Sequence, residues 1–431
     1  METTKDNKLK ISFESDVPAE DVQSKQQGKD EKGGSKSHVW EFIALSTIPL
    51  VLVLGNSMLI PVLPEMKKEL GINQFQTSLI ITLFSLTAGI FIPIIGYLSD
   101  RFTRKAIIIP SLIVYGGAGI LAGFGAIWES YPVIIAARVL QGLGAAGTAP
   151  IAMALIGDLY KGGTESQALG LGEASNGTGK VLSPIIGSLL ALIVWYAAFF
   201  AFPLFCLISI IAVIFLIKEP KKEKKPPKLP EYLHKLLDIF KKKGDWLIPS
   251  FFAGSLALFI LFGVLFYLSD ILEKPPYSID GVVKGLVLAI PLLGLVITSF
   301  TTGSLIKKNG LLMRWLMNIG LALMVTALAL TIFFYKNVYV FIGLLTLSSV
   351  GTGLLLPCLN TMITGAIKKE QRGMVTSLYS SLRFFGVAFG PPIFGWLMGI
   401  SHRTIFYTVS SLSLLTLVMV FFLIKPDKKV S

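Results

Sequence analysis

A chain of 431 residues that is 53% hydrophobic, only 15% charged and has a mean hydropathy of +0.70 is too apolar for a soluble protein, which carries about a quarter charged residues. Its formal net charge of +13 would suit a nucleic-acid binder, but the bases gather in short intervals between long apolar runs, so membrane loops explain them better and no nucleic-acid partner is expected. Two cysteines, Cys206 and Cys358, offer neither metal spacing nor a disulfide framework, so packing roles are expected for both, with no metal and no cofactor.

Residues 1–38 mix charges of both signs with Gly, Ser and Gln and have little to bury, which predicts a disordered tail rather than a cleaved signal. A spanning helix needs about 20 mostly apolar residues. Twelve such stretches follow, at 41–62, 75–98, 105–127, 132–155, 168–193, 197–217, 247–271, 281–305, 311–334, 338–365, 374–400 and 404–424. Between the sixth and seventh lies 218–245, with ten lysines. Its Pro-rich start reads as a solvated linker, and Leu229, Tyr232, Leu233, Leu236, Leu237 and Phe240 share a helical face suited to an anionic inner leaflet. A short tail, 425–431, ends the chain.

With the N-terminus inside, the inner loops and C-terminal tail hold 23 Lys and Arg, whereas the outer loops hold six: Lys67, Lys68, Lys274, Lys284, Lys336 and Arg403. The bias predicts both termini in the cytoplasm. "GYLSDR" at 96–101 and "GSLIKK" at 303–308 stand 207 residues apart, as do "GAAGTAP" at 144–150 and "GTGLLLP" at 351–357. "FLIK" recurs at the same offset, and "PIIG" and "PIFG" with one residue more. The expected fold is therefore an all-α membrane protein with twelve transmembrane helices in two parallel six-helix repeats, 39–217 and 246–424. Two halves that rock about a central site make a transporter, not an enzyme, with a small-molecule substrate and membrane lipids as partners, and a monomer suffices.

Polar groups inside the spans are the candidate sites. Lys180 sits about 18 Å from either end of the fifth span, too deep for easy snorkelling. An ammonium there needs a partner, water or a substrate, so it belongs either to a closed structural pair or to a substrate or proton site. Glu173 lies two turns earlier on nearly the same face. Arg383, in the eleventh span, places a second cation at intermediate depth in the other half, and the two together favour an anionic or carboxylate-bearing substrate. Arg138 and Gln141 share a face of the fourth span, beside small residues that permit close packing, and serve either a buried network or proton movement. Asn56, Asn176 and Asn360 are further pocket candidates. In "GYLSDRFTRK", Gly96 allows close approach, while Asp100, Arg101, Arg104 and Lys105 occupy a tight inner turn from which Arg104 can reach Asp158.

These motifs resemble the major facilitator superfamily, and within it the twelve-helix drug:proton antiporters, over about 39–424. The resemblance implies a gate contact between the halves at Gly96, Asp100, Arg101, Arg104 and Lys105, with Asp158 as partner. It also associates Arg138 and Gln141, in "RVLQGLGAAG", with proton coupling. "GSLIKKNG" at 303–310 is a degenerate copy with Lys307 in the acidic position. The fifth-helix antiporter pattern is only partly kept: "GKVLSPIIGS" retains Gly179, Pro184 and Gly187 but has Ser183, Ser188 and Lys180. The expectation is a proton-coupled exporter, of the multidrug-efflux kind, in a bacterial cell membrane, with Glu173 as proton acceptor. An importer of an organic acid or osmolyte, a flippase for a lipid-linked substrate, and a sensor without flux remain the alternatives.

Overall fold

The structure is a computed structural model, which describes residues 35–160, 162–219, 229–306, 309–366 and 369–426. Residues 1–34 of the predicted tail 1–38, the start of the linker and Lys307 lie outside the described residues, and 35–38, expected to be disordered, open α1. The rest is helical almost throughout: α1 (Ser35–Ser57), a 3-10 turn (Ile60–Val62), α2 (Leu63–Glu69), α3 (Gln74–Arg101), α4 (Arg104–Ile127), α5 (Tyr131–Ala146), α6 (Ala149–Leu159), α7 (Gly162–Ala191) and α8 (Ala197–Leu216) in the first half. The second half holds α9 (Leu229–Leu272), α10 (Gly281–Ile306), α11 (Gly310–Phe334), α12 (Val338–Gly365), α13 (Lys369–Met398) and α14 (His402–Leu423).

Fourteen helices make twelve crossings because the first and fourth are broken. Pro61 and Pro64 stand in the first turns of the 3-10 segment and α2, and Pro150 stands in the first turn of α6, after Thr148 leaves helical geometry at φ −104° and ψ −102°. Proline lacks the N–H a helix interior needs and is tolerated in a first turn. Among the described residues, ten helical stretches are long and apolar enough to span a membrane. The two crossings outside that set are α7 and α13, each of 30 residues, the helices that carry Lys180 and Arg383.

Alternation gives the bundle a terminal end, with residues 102, 217 and 424, and a far end, with the 70–73, 273–280 and 399–401 connections. At the far end α3 starts with a capping box, Gln76 N donating to Asn73 Oδ1 at 2.8 Å and Asn73 N to Gln76 Oε1 at 2.9 Å. At the terminal end α9 differs from expectation. The amphipathic linker piece and the seventh span are one helix of 44 residues, and Tyr232, Ile239 and Trp246 are buried against the protein, leaving Leu237 exposed. Tyr232 meets the Tyr97 ring of the first half edge-on at 5.2 Å between centroids.

Small residues bring helix backbones together within each half. A methyl group at Gly142 would stand 2.3 Å from the Phe84 carbonyl oxygen on α3, and backbone cannot move aside as a side-chain tip can. Gly142→Ala is therefore expected to cost about 2 kcal/mol or more through overpacking, seen as a lower unfolding temperature in detergent. The two halves meet along two seams. On one, Ser381 Oγ donates to Gly89 O at 2.5 Å and Thr82 Oγ1 to Ala388 O at 2.7 Å, joining α3 to α13. On the other, a methyl at Gly285 would stand 2.7 Å from Pro184 O, joining α10 to α7. The far end is also bridged by Ser269 Oγ, which donates to Ile60 O at 2.8 Å with both residues buried.

Candidate functional site

Lys180 stands in the middle of α7, and Arg383 near the middle of α13, in opposite halves. Both are half-buried. Lys180 makes no hydrogen bond or ion pair with a described residue. Arg383 of the other half and Glu173 of the same helix are the charges that act on its ammonium. Two cations thus stand in opposite halves, Lys180 on the helix that packs on α10 and Arg383 on the helix that packs on α3. Like charges that close in a low dielectric repel, and an anion placed between them converts that cost into attraction. Glu173 is exposed toward the terminal end, two turns from Lys180; Asn176 on α7 and Asn360 on α12 are half-buried.

Arg383 is held by an aromatic shelf that the sequence reading did not single out. Its guanidinium carbon lies 5.5 Å from the Tyr379 ring centroid. Tyr379 is itself 3% exposed and rests on Phe251 of α9 at 5.4 Å. Tyr379 Oη and Arg383 Nε are both buried and find no hydrogen-bond partner among the described residues. The four-residue spacing in "YSSLR" on one helix face is the signal that could have found the pair.

Arg138, Gln141 and Asn56 are brought together elsewhere, inside the first half. Arg138 is fully buried. Its Nε donates to Ile80 O at 2.7 Å, Nη1 to Gln141 Oε1 at 2.5 Å and to Gly55 O at 3.2 Å, and Nη2 to Asn56 Oδ1 at 2.6 Å. Asn56 Nδ2 in turn donates to Ser85 Oγ at 2.8 Å, and the guanidinium lies 4.4 Å from the Phe84 ring centroid. The network ties α1, α3 and α5 into one body.

The "GYLSDRFTRK" turn lies at the terminal end. Arg104 reaches Asp100 at 2.7 Å and Asp158 at 2.8 Å, and also donates to Ser99 Oγ at 2.6 Å. All four residues belong to the first half, so this charge cluster braces α3, α4 and α6 within one half. Lys105 Nζ donates to the last carbonyls of the sixth crossing, Ile214 O and Ile217 O, where a cation suits the helix C-terminus. Glu219, also missed from sequence, accepts from Arg104 N at 2.5 Å and Lys105 N at 2.9 Å and so caps α4. Contacts across the halves here include Gly96, where a methyl would stand 2.9 Å from Ser377 Oγ, and Tyr97. Arg101 is exposed.

Two six-crossing repeats meeting along two seams, with a mid-helix cation in each, define a membrane transporter that works by moving one half against the other. The chain belongs to the Major Facilitator Superfamily, which matches residues 45–278 and again 275–431. It is 47% identical over 390 residues to the bacillibactin exporter of Bacillus subtilis (strain 168), covering 90% of this chain and 96% of that one. Over shorter stretches it is 32% identical to multidrug resistance protein 1 of the same organism, covering 36% of this chain and 41% of that one. It is also 31% identical to the class C tetracycline resistance protein of Escherichia coli, covering 38% and 41%. In fold it is similar to the human organic anion transporter MFSD10 (TETRAN), with a TM-score of 0.69 at 19% identity, covering 90% of this chain and 99% of that one. A bacterial homolog of the human lysosomal transporter Spinster, in an inward-facing, unoccupied conformation, gives 0.64 at 15% identity, covering 91% and 96%.

Proposed function

We propose that this chain is a proton-coupled exporter of an anionic siderophore of the bacillibactin kind, working as a monomer in a bacterial cell membrane with both termini in the cytoplasm. The observation that carries the anionic cargo is Lys180, without a hydrogen bond or ion pair to any described residue, in the half opposite Arg383. Identity of 47% over nearly the whole length to a bacillibactin exporter supports the cargo class and the direction. An iron chelator presents acidic oxygens, and two cations from opposite halves can hold such groups at once.

The cycle follows from charge. Cargo enters from the cytoplasmic, terminal end past Glu173, and its anionic groups settle between Lys180 and Arg383. With the like charges neutralised, the halves close at that end and part at the far end, where the Ser269 bridge to Ile60 must break. A proton taken up by Glu173 on the return would reduce the charge to be buried in the empty carrier. No bond of the cargo is made or broken.

The test is transport in everted membrane vesicles with iron-free bacillibactin and an imposed pH gradient, acid inside. Uptake that rises with the gradient is expected, and Glu173→Gln is expected to retain binding while losing most of the gradient's effect. Gradient-independent accumulation in both proteins would remove the proton assignment, and absence of any carrier-dependent flux would remove the cargo.

A further inference from the structure

Tyr379 carries the inference furthest, because two independent features of its surroundings converge. The first is mechanical. Tyr379 is clamped from the side of α9: its ring leans on Phe251 at 5.4 Å, and a methyl group at Gly254 would stand 2.4 Å from Tyr379 Oη. Only a residue without a side chain leaves room there, so α9 fixes where the ring stands. The ring in turn lies 5.5 Å from the guanidinium carbon of Arg383. The second feature is chemical. Tyr379 Oη and Arg383 Nε, one turn apart on α13, are both buried donors without a partner among the described residues. Buried donors are satisfied in the great majority of cases, and two orphans on side chains one turn apart, one of them the cation assigned to the cargo, ask for an acceptor.

We propose that Tyr379 is a specificity-determining residue of the cargo site: its ring holds the Arg383 guanidinium in place, and its hydroxyl acts with Arg383 Nε to select cargo whose acidic oxygen can accept both hydrogen bonds. The proposal rests on the anionic-cargo reading and deepens it, since a cation alone attracts any anion whereas a fixed donor pair demands accepting lone pairs in a set direction. Lys180 supplies the second pole from the other half, so the preferred cargo carries two separated acidic groups and bridges the two halves. Glu173, on α7 itself, is the other charge that acts on Lys180.

The experiment uses full-length protein in nanodiscs and vesicles, with iron-free bacillibactin as the probe. Tyr379→Phe keeps the ring and removes only the hydroxyl. It is expected to raise Kd and KM about tenfold while kcat stays within about twofold and the unfolding temperature is unchanged. Gly254→Ala alters no hydrogen-bonding group but displaces the ring, and is expected to raise KM at least as much. Tyr379→Leu, which removes shelf and hydroxyl together, should exceed both. A Tyr379→Phe protein with wild-type Kd and KM overturns the proposal, even where Tyr379→Leu is impaired. If Lys180→Gln and Arg383→Gln also leave binding unchanged, the anionic-cargo reading falls with it; if only Tyr379→Phe is silent, that reading stands and the selectivity role alone is lost.

Discussion

Replacing Lys180 by Gln, or Arg383 by Gln, is expected to lower gradient-driven bacillibactin uptake about thirtyfold or more, with the amount of folded protein in the membrane unchanged. Losing one partner of a desolvated, hydrogen-bonded charge pair costs about 2–5 kcal/mol, and each 1.4 kcal/mol is a factor of ten. Stability should be spared because neither side chain has an ion-pair partner among the described residues to abandon. Relief of repulsion between the two cations would, if anything, favour the folded state. The measurement is initial uptake rate in everted vesicles, normalised to folded protein by size-exclusion chromatography. A discriminating control is a cationic substrate panel: gain of cation flux in the double substitution fits the assignment, whereas equal loss for anions and cations assigns both residues to packing.

Arg138 is expected to behave in the opposite way. Arg138→Ala strips Asn56, Gln141 and the carbonyls of Ile80 and Gly55 of their donors at one stroke, in a fully buried site with an aromatic ring 4.4 Å away. Breaking such a network costs about 3–5 kcal/mol, so the variant should be lost from the membrane or unfold at a markedly lower temperature. Arg138→Lys should recover little, because an ammonium cannot reproduce the planar fork that serves three helices at once. A stable, normally folded Arg138→Ala protein that has lost only its response to the pH gradient would instead assign this residue to proton movement.

These contrasts show what the sequence carries and what it does not. The membrane class, the repeat and the two-half architecture are legible because they depend on runs of twenty residues and on offsets of 207, which survive any detail of packing. The breaks at Thr148 and Pro61 are not: each replaces one expected span by two helices, and only the local backbone decides where a proline or a small residue ends a turn. Lys180 and Arg383 stand out as charges in apolar runs, but whether they meet is a matter of which helix faces turn inward, which periodicity leaves open. Tyr379 is invisible for another reason. Tyrosine is ordinary in a membrane helix, and its interest comes from Gly254, 125 positions away, admitting its hydroxyl. Within 229–240, Tyr232 and Ile239 are buried against the protein while Leu237 is exposed, because the helix runs on unbroken into the seventh crossing.

The weak apolarity of α7 and α13 bears on biogenesis. A nascent segment with a mid-depth lysine partitions reluctantly into lipid on its own and is held until a neighbour can shelter it. The shelter arrives at different times for the two. α13 emerges when α3 and α9, against which it packs, are already made, whereas α7 leaves the ribosome well before its seam partner α10. During that interval α1 is the protection on hand, with a methyl at Gly179 limited to 2.9 Å from Leu50. Truncated chains that stop before α10 should therefore expose Lys180 to quality-control proteolysis, while chains that stop after it should not.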